Sequence, residues 1–175
     1  MMNLTEIAES LPAYAKDLKL NLQNVLVQQE LTEQQTWTTA VACALACRNE
    51  TLSRAILAEA SQKLSPQQLE SAKAAFAIME MNNIYYRFRH MLSKDEYANI
   101  PARLRMQAIR MHGGDPVDFE LACLAASSIN GCEACIKSHE AVVREKGVTP
   151  EAVVASVRIA ATLHAVAAVL EAPQA

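Results

Sequence analysis

The chain has 175 residues, of which 51% are hydrophobic and 20% are charged, a composition typical of one soluble globular domain. Four Gly and six Pro exclude collagen-like and low-complexity classes, and the hydrophobic share excludes intrinsic disorder. A formal net charge of -3 gives no general attraction to phosphate backbones or anionic lipids. We therefore expect neither nucleic acid nor a membrane surface as a partner.

Apolar residues recur at intervals of three and four almost throughout the chain, which predicts an all-α fold. Pro12 breaks the first apolar stripe, and Gly113-Gly114 interrupts the pattern further along. Residues 93–101 are polar and irregular. The predicted helices cover residues 4–27 in two pieces, 32–46, 51–64, 66–92, 101–111, 116–130, 132–147 and 150–171.

Local capping chemistry sets several of these helix starts. Thr32 is followed three residues later by Gln35, the arrangement of a capping box. Ser65-Pro66 and Thr149-Pro150 each place an N-cap residue before a proline in the first helical position.

The chain shows a weak internal repeat of helix, Asn-containing corner, helix, capped start and long helix. It predicts a duplication within one domain of residues 1–175, with a degenerate half at about 30–92 and a cysteine-bearing half at about 115–172. Capped starts of this type also recur by chance, so the alternative of no duplication stays open. The last helix is apolar nearly all round, so we expect it to be buried inside the domain or against another subunit, which favours a homo-oligomer.

The N-terminal residues 1–6 lack the basic and apolar regions of a secretory signal, and polar side chains interrupt the most apolar stretch, 152–170, which argues against a membrane span. An odd number of cysteines in a chain large enough to bury a core indicates thiols with individual roles rather than a secreted disulfide framework. We therefore predict a cytoplasmic protein. The cysteines are Cys43, Cys47, Cys123, Cys132 and Cys135, of which the first three lie among Ala, Leu and Val and are expected to be small core residues.

The most informative segment is a C-x-x-C-x-x-x-H motif at the start of a predicted helix. There the free backbone N–H groups and the helix dipole lower the pKa of a cysteine from about 8.5 towards 7 or below. Cys132, Cys135 and His139 fall within an arc of roughly 60° on the helix surface. The spacing predicts two thiols close enough to form a disulfide, with an imidazole as base or proton relay, and thus dithiol redox chemistry with a peroxide.

Glu120 lies in an apolar run of the preceding helix. A carboxylate there is costly to bury without a partner, and the sequence offers His139 as that partner. Such a pair orients the imidazole as a carboxylate does in a catalytic triad. Each residue on its own also fits a solvated helix surface, and that alternative stays open.

The cysteine pair has a structural alternative, a zinc corner, although a closed zinc site needs four ligands and the segment offers two Cys and one His. A c-type haem motif is excluded because Ile136, not His, follows the second cysteine. A thioredoxin domain is excluded because the sequence shows no βαβ pattern.

The chain resembles the alkyl hydroperoxide reductase AhpD family of the carboxymuconolactone decarboxylase-like superfamily. The resemblance is carried by Glu120, Asn130-Gly131 and the C-x-x-C-x-x-x-H motif. Residues 48–49, 79–87 and 104–106 also resemble family segments, so the resemblance covers most of the chain. It implies an all-helical homotrimer without bound cofactor or metal that reduces organic hydroperoxides. The electrons are expected from a dihydrolipoyl group on a 2-oxo acid dehydrogenase component.

By motif position, the resemblance implies a role for each site residue. Cys135 would be the peroxidatic nucleophile that passes through sulfenic acid, and Cys132 the proton donor and resolving thiol, the two ending in a disulfide. His139 and Glu120 would form the proton relay. In some relatives a histidine stands between the two cysteines, whereas this chain has Glu133-Ala134 there, which removes a proton carrier and places an acid near the thiols, where it is expected to raise their pKa.

Two other functions stay open at this point. One is a decarboxylase-like enzyme acting on a lactone acid, which would not need two cysteines. The other is a non-catalytic electron carrier that passes electrons from a lipoyl protein to a peroxiredoxin.

Overall fold

The structure, a computed structural model, describes residues 2–173, and within them it contains ten α-helices, one short 3-10 turn and no strand. The predicted all-α fold is confirmed. Met1, Gln174 and Ala175, at the ends of the predicted domain, lie outside the described residues. The helices are α1 (Leu4–Ser10), α2 (Lys16–Val25), α3 (Glu33–Ala46), α4 (Glu50–Ala60), α5 (Pro66–Leu92), α6 (Asp95–Ala98), α7 (Ala108–Met111), α8 (Pro116–Ile129), α9 (Glu133–Glu145) and α10 (Pro150–Glu171).

The long helices begin where the capping residues predict. Thr32 and Gln35 exchange side-chain and backbone hydrogen bonds in a capping box, and Ser65 and Gln68 form another. Proline occupies the first turn of α5, α8 and α10, where its fixed φ suits the helix and its missing N–H has no intrahelical acceptor.

Two predicted helices differ from the structure. α4 ends at Ala60 instead of residue 64, because Gln62 and Lys63 donate to carbonyls three residues back and the chain turns towards the next N-cap. The helix predicted at 101–111 is wrong over most of its length. Arg103 has a left-handed φ of 52°, which interrupts a right-handed helix, and only the four residues of α7 are helical.

α3 and α8 pack against each other in the middle of the molecule, and α5 and α10 cover them. The larger apolar core joins α3, α4, α8 and α10, and a smaller one joins α3, α5 and α8 around Met79 and Phe119. α9 packs on α8 and α5. This arrangement places the start of α9 against the middle of the long helix α5.

α10 is long and apolar enough to cross a membrane by length and composition, and 44% of its most apolar window is buried. Its buried residues include Ile159, Leu163 and Val166, and it packs on α2, α3 and α8. A core helix passes the same length and composition test as a membrane span.

The two predicted halves contain the same order of elements, α3–α4–α5 and α8–α9–α10. Each has a residue with left-handed φ at its corner, Arg48 in the first half and Gly131 in the second, and each corner leads directly into an N-cap, Asn49 or Cys132. Both N-cap side chains accept a hydrogen bond from the backbone N–H three residues ahead. These shared features support the duplication, which stays a prediction.

Candidate redox-active site

The corner between α8 and α9 places the first motif cysteine. Gly131 has a φ of 65°, a conformation that is unstrained for glycine, and it turns the chain at the end of α8. Cys132 is then the N-cap of α9, and its Sγ accepts a hydrogen bond from the backbone N–H of Cys135 at 3.4 Å. The sulfur therefore lies where unpaired amides stabilise negative charge.

Cys132 and Cys135 are joined by a disulfide, with their Cα atoms 5.3 Å apart. Their surroundings differ. Cys132 is completely buried. Cys135 is only 5% exposed, but it lines a cavity of about 370 Å³. Cys135 therefore forms part of the cavity wall, and Cys132 does not.

Three parts of the chain enclose this cavity. α9 supplies Ala134, Cys135, Ser138 and His139, α5 supplies Asn82 and Tyr86, and the segment around α7 supplies Met106 and Ile109. The Tyr86 hydroxyl donates to the Met106 sulfur at 3.6 Å, which joins α5 to that segment. The cavity lining combines apolar side chains, among them Met106 and Ile109, with polar ones, and the cavity is large enough for a small organic molecule.

His139 and Glu120 face each other across α9 and α8. The Nδ1 of His139 lies 2.6 Å from Oε2 of Glu120, and the side chains are only 12% and 15% exposed. Because a carboxylate accepts hydrogen bonds, Nδ1 of His139 is the donor in this contact. In the neutral ring, Nε2 is then the nitrogen that accepts a proton. The structure brings together the two residues that the sequence analysis paired.

Glu133 does not stand beside the thiols as an isolated charge. Its carboxylate forms an ion pair with Lys137 and lies 3.1 Å from Nε2 of His90, and its side chain is 56% exposed. The hydrogen bonds from Lys137 and then from His90 hold the pKa of Glu133 below its usual value. The expected effect of this acid on the thiols is therefore weakened by its two partners and by solvent.

A network of polar side chains from α5 holds the corner in front of Cys132, and the sequence analysis did not find it. Nδ2 of Asn130 donates to Oε1 of Glu80 and to Oδ1 of Asn83, both at 3.0 Å. Nδ2 of Asn83 donates to Oγ of Ser127 at 2.8 Å, and Arg87 donates to the carbonyl of Asn130. Asn83 is fully buried, so the network fixes the corner from inside the protein.

The Asn83→Leu variant should lose stability because it removes the buried hydrogen bonds that Asn83 accepts from Asn130 and donates to Ser127. A buried group that loses its hydrogen bond typically costs about 1–3 kcal/mol of unfolding free energy. Urea denaturation of the variant measures this loss. The matched control is Asn24→Leu at an exposed position of α2, where a change within about 0.5 kcal/mol is expected. Equal stability of Asn83→Leu and the parent protein would show that the network does not hold the corner.

The other three cysteines lie away from this cavity. Burial raises the pKa of Cys43 and of Cys123 well above the ordinary value. Burial, and then the charge of Glu80, raises the pKa of the partly buried Cys47 to about 12. These groups are protonated thiols at neutral pH and are poor nucleophiles.

Within residues 2–173, no group of three or more His, Cys, Asp or Glu side chains is arranged to hold a metal ion. The zinc alternative for the cysteine pair therefore lacks a ligand set in the part of the chain that the structure describes.

Comparison with known proteins gives two further findings. The Carboxymuconolactone decarboxylase family model matches residues 95–175, which contain the cysteine motif. A protein of Solibacter usitatus named alkyl hydroperoxide reductase AhpD is 58% identical over 170 residues, covering 97% of this chain and 96% of the relative. Proteins of the same name from Gluconacetobacter diazotrophicus and Acidobacterium capsulatum are 55% and 54% identical, over 97% and 98% of this chain and 93% and 94% of the relatives.

Proposed function

Because the chain belongs to the alkyl hydroperoxide reductase AhpD family, we propose that it is a thiol peroxidase that reduces organic hydroperoxides with the Cys132–Cys135 pair. The observation that carries the proposal is a disulfide with one half on a cavity that also contains His139. A peroxidase of this type needs a reactive thiol that the substrate can reach and a second thiol within bonding distance.

In the first step, we propose that the Cys135 thiolate attacks the terminal oxygen of the hydroperoxide. The S–O bond forms as the O–O bond breaks, so the sulfur is oxidised to sulfenic acid and an alkoxide leaves. The alkoxide takes a proton and becomes the alcohol. One source of this proton is the Cys132 thiol. The other is the His139 ring, which has become charged by deprotonating Cys135 and is stabilised by the carboxylate of Glu120.

In the second step, the Cys132 sulfur attacks the sulfenic sulfur of Cys135. The S–S bond forms, the S–O bond breaks, and the hydroxyl leaves as water with the proton that the Cys132 thiol or the His139 ring still carries after the first step. The protein then holds the disulfide seen in the structure. A dithiol restores it by exchange, and we propose a dihydrolipoyl group on a 2-oxo acid dehydrogenase component as that dithiol, with no bound cofactor.

The test is steady-state consumption of cumene hydroperoxide by the purified protein with dihydrolipoamide as the only reductant. We expect turnover without any added peroxiredoxin. Turnover that appears only after a peroxiredoxin is added would contradict the peroxidase proposal and favour the electron carrier, which uses the same dithiol. A decarboxylase-like enzyme would show neither activity and would retain its reaction on a lactone acid after the cysteines are removed.

We further propose that the protein works as a homotrimer in the cytoplasm. One face of α5 presents apolar side chains at helical spacing, Ile84, Phe88 and Met91, each at least 50% exposed. Such a stripe is typical of a surface that another subunit covers. Three free thiols besides the motif pair suit a reducing compartment.

A further inference from the structure

Asn82 is the one residue of the cavity wall with a buried polar atom that lacks a hydrogen-bond partner among the described residues. Its side chain is 4% exposed, and its Oδ1 is buried and accepts no hydrogen bond. The mechanism above gives it no role. Its neighbour Asn83 is equally buried, but both ends of the Asn83 carboxamide are bonded in the corner network.

A buried carboxamide oxygen without a partner lowers the stability of a folded protein, and few such atoms are found in native structures. Such an atom calls for an explanation, and a catalytic role or a bound polar group is one of those that native structures show. Asn82 and Cys135 line the same cavity, so a rotation of the Asn82 carboxamide presents its oxygen to a ligand there.

The position of Asn82 relative to the reacting sulfur strengthens this argument. The backbone carbonyl oxygen of Asn82 lies 3.9 Å from Sγ of Cys135. Residue 82 is therefore a point where α5 lies against the second cysteine, and both residues line the same cavity.

We propose that the carboxamide oxygen of Asn82 accepts a hydrogen bond from the terminal O–H of the hydroperoxide and directs that oxygen to Cys135. This inference rests on the proposed peroxidase function. The terminal oxygen is the atom that the thiolate attacks, and a neutral amide is an acceptor that does not compete for its proton. The alkyl group then lies against the apolar side of the cavity, formed by Met106 and Ile109.

The same contact serves the product of the first step. When the O–O bond breaks and the S–O bond forms, the terminal oxygen keeps its hydrogen and becomes the hydroxyl of the sulfenic acid. Asn82 moves no proton, because the leaving alkoxide receives its proton from the relay. The Asn82 oxygen thus accepts a hydrogen bond first from the substrate and then from the sulfenic acid. It loses this partner when water leaves and the disulfide forms, which is the state in the structure.

The test compares Asn82→Leu with the parent protein in the two half-reactions separately. Reduced protein is mixed with cumene hydroperoxide, and the loss of thiols is followed by rapid quenching and alkylation. Removing one preorganised hydrogen bond should lower the second-order rate constant by about 10- to 100-fold. The reductive half-reaction, in which dithiothreitol reduces the disulfide, involves no hydroperoxide and should keep its rate.

Thr39→Val is the matched control. Thr39 is completely buried in α3, its Oγ1 also lacks a partner among the described residues, and it does not line the cavity. Its variant should react with hydroperoxide at the parent rate. Both variants remove an unpartnered polar atom, so their thermal unfolding midpoints should stay equal to that of the parent or rise. Asn82→Ala removes the carboxamide without filling the cavity and should repeat the loss of rate.

Three results would overturn the inference. Parent-like hydroperoxide rates in Asn82→Leu and Asn82→Ala would remove Asn82 from substrate binding and leave the peroxidase proposal intact. Equal slowing of both half-reactions, or a lower unfolding midpoint, would assign Asn82 a structural role. A parent protein that does not react with the hydroperoxide would refute the peroxidase proposal itself, and the role of Asn82 with it.

Discussion

Replacing Cys135 with serine is expected to abolish the consumption of hydroperoxide, with a loss of at least about a thousandfold, because removal of a catalytic nucleophile has effects of this size or larger. A serine hydroxyl at this position is not ionised at neutral pH and does not form a sulfenic acid. The measurement is peroxide consumption with excess dihydrolipoamide. Cys132→Ser should nearly abolish turnover as well, but it should still react once and retain the sulfenic acid on Cys135.

A thiol count makes this experiment specific. One equivalent of hydroperoxide should remove two titratable thiols from the reduced parent protein and none from Cys135→Ser. The control is Cys47→Ser, which removes a half-buried thiol that is protonated at neutral pH and lies outside the cavity. It should keep the parent activity. Substantial peroxide consumption by Cys135→Ser would place the nucleophile elsewhere.

The second large effect is expected at the Glu120–His139 pair. Glu120→Gln keeps the size of the side chain but removes the negative charge that stabilises the protonated ring, and His139→Gln removes the proton carrier. Loss of a positioned acid–base group typically costs 10²–10⁴ in rate, so we expect a decrease of about 100-fold or more in hydroperoxide reduction by each variant. Stopped-flow reaction of the reduced variants measures it.

The double variant distinguishes a relay from two independent contributions. Two residues that act as a unit should give a double variant about as slow as the slower single variant. Glu140→Gln is the control, because Glu140 is a half-buried acid next to His139 in α9 and its ion pair is with Arg144. It should retain the parent rate. A parent-like rate in His139→Gln would remove histidine from the mechanism.

Helix starts were predictable from the sequence because capping chemistry is local. Thr32, Ser65 and Thr149 each precede a helix, and each accepts a backbone hydrogen bond in the structure. The segment at 101–111 was not predictable in the same way. Its apolar spacing suits a helix, but the left-handed Arg103 and the contact of Met106 with Tyr86 give it an irregular path along the cavity.

The site also has a part that local sequence predicts and a part that depends on contacts between distant helices. Cys132, Cys135 and His139 lie within two turns of one helix, so their spacing alone brings them to one side of it. The contribution of α5 is different, because sequence spacing does not show which face of a long helix meets α9. Asn82 and Asn83 are adjacent, yet a rotation of about 100° along the helix directs one residue to the cavity and the other to the corner network.

The different surroundings of Cys132 and Cys135 have a consequence for the order of steps in the proposed catalytic cycle. An incoming dithiol must approach along the S–S axis, and Cys135 is the half of the disulfide that borders open space. The outgoing sulfur is then Cys132, whose negative charge is stabilised by the amide of Cys135, as a good leaving group requires. In the proposed cycle, oxidant and reductant therefore bind at the same cavity and exclude each other, so we expect ping-pong kinetics and a transient mixed disulfide on Cys135.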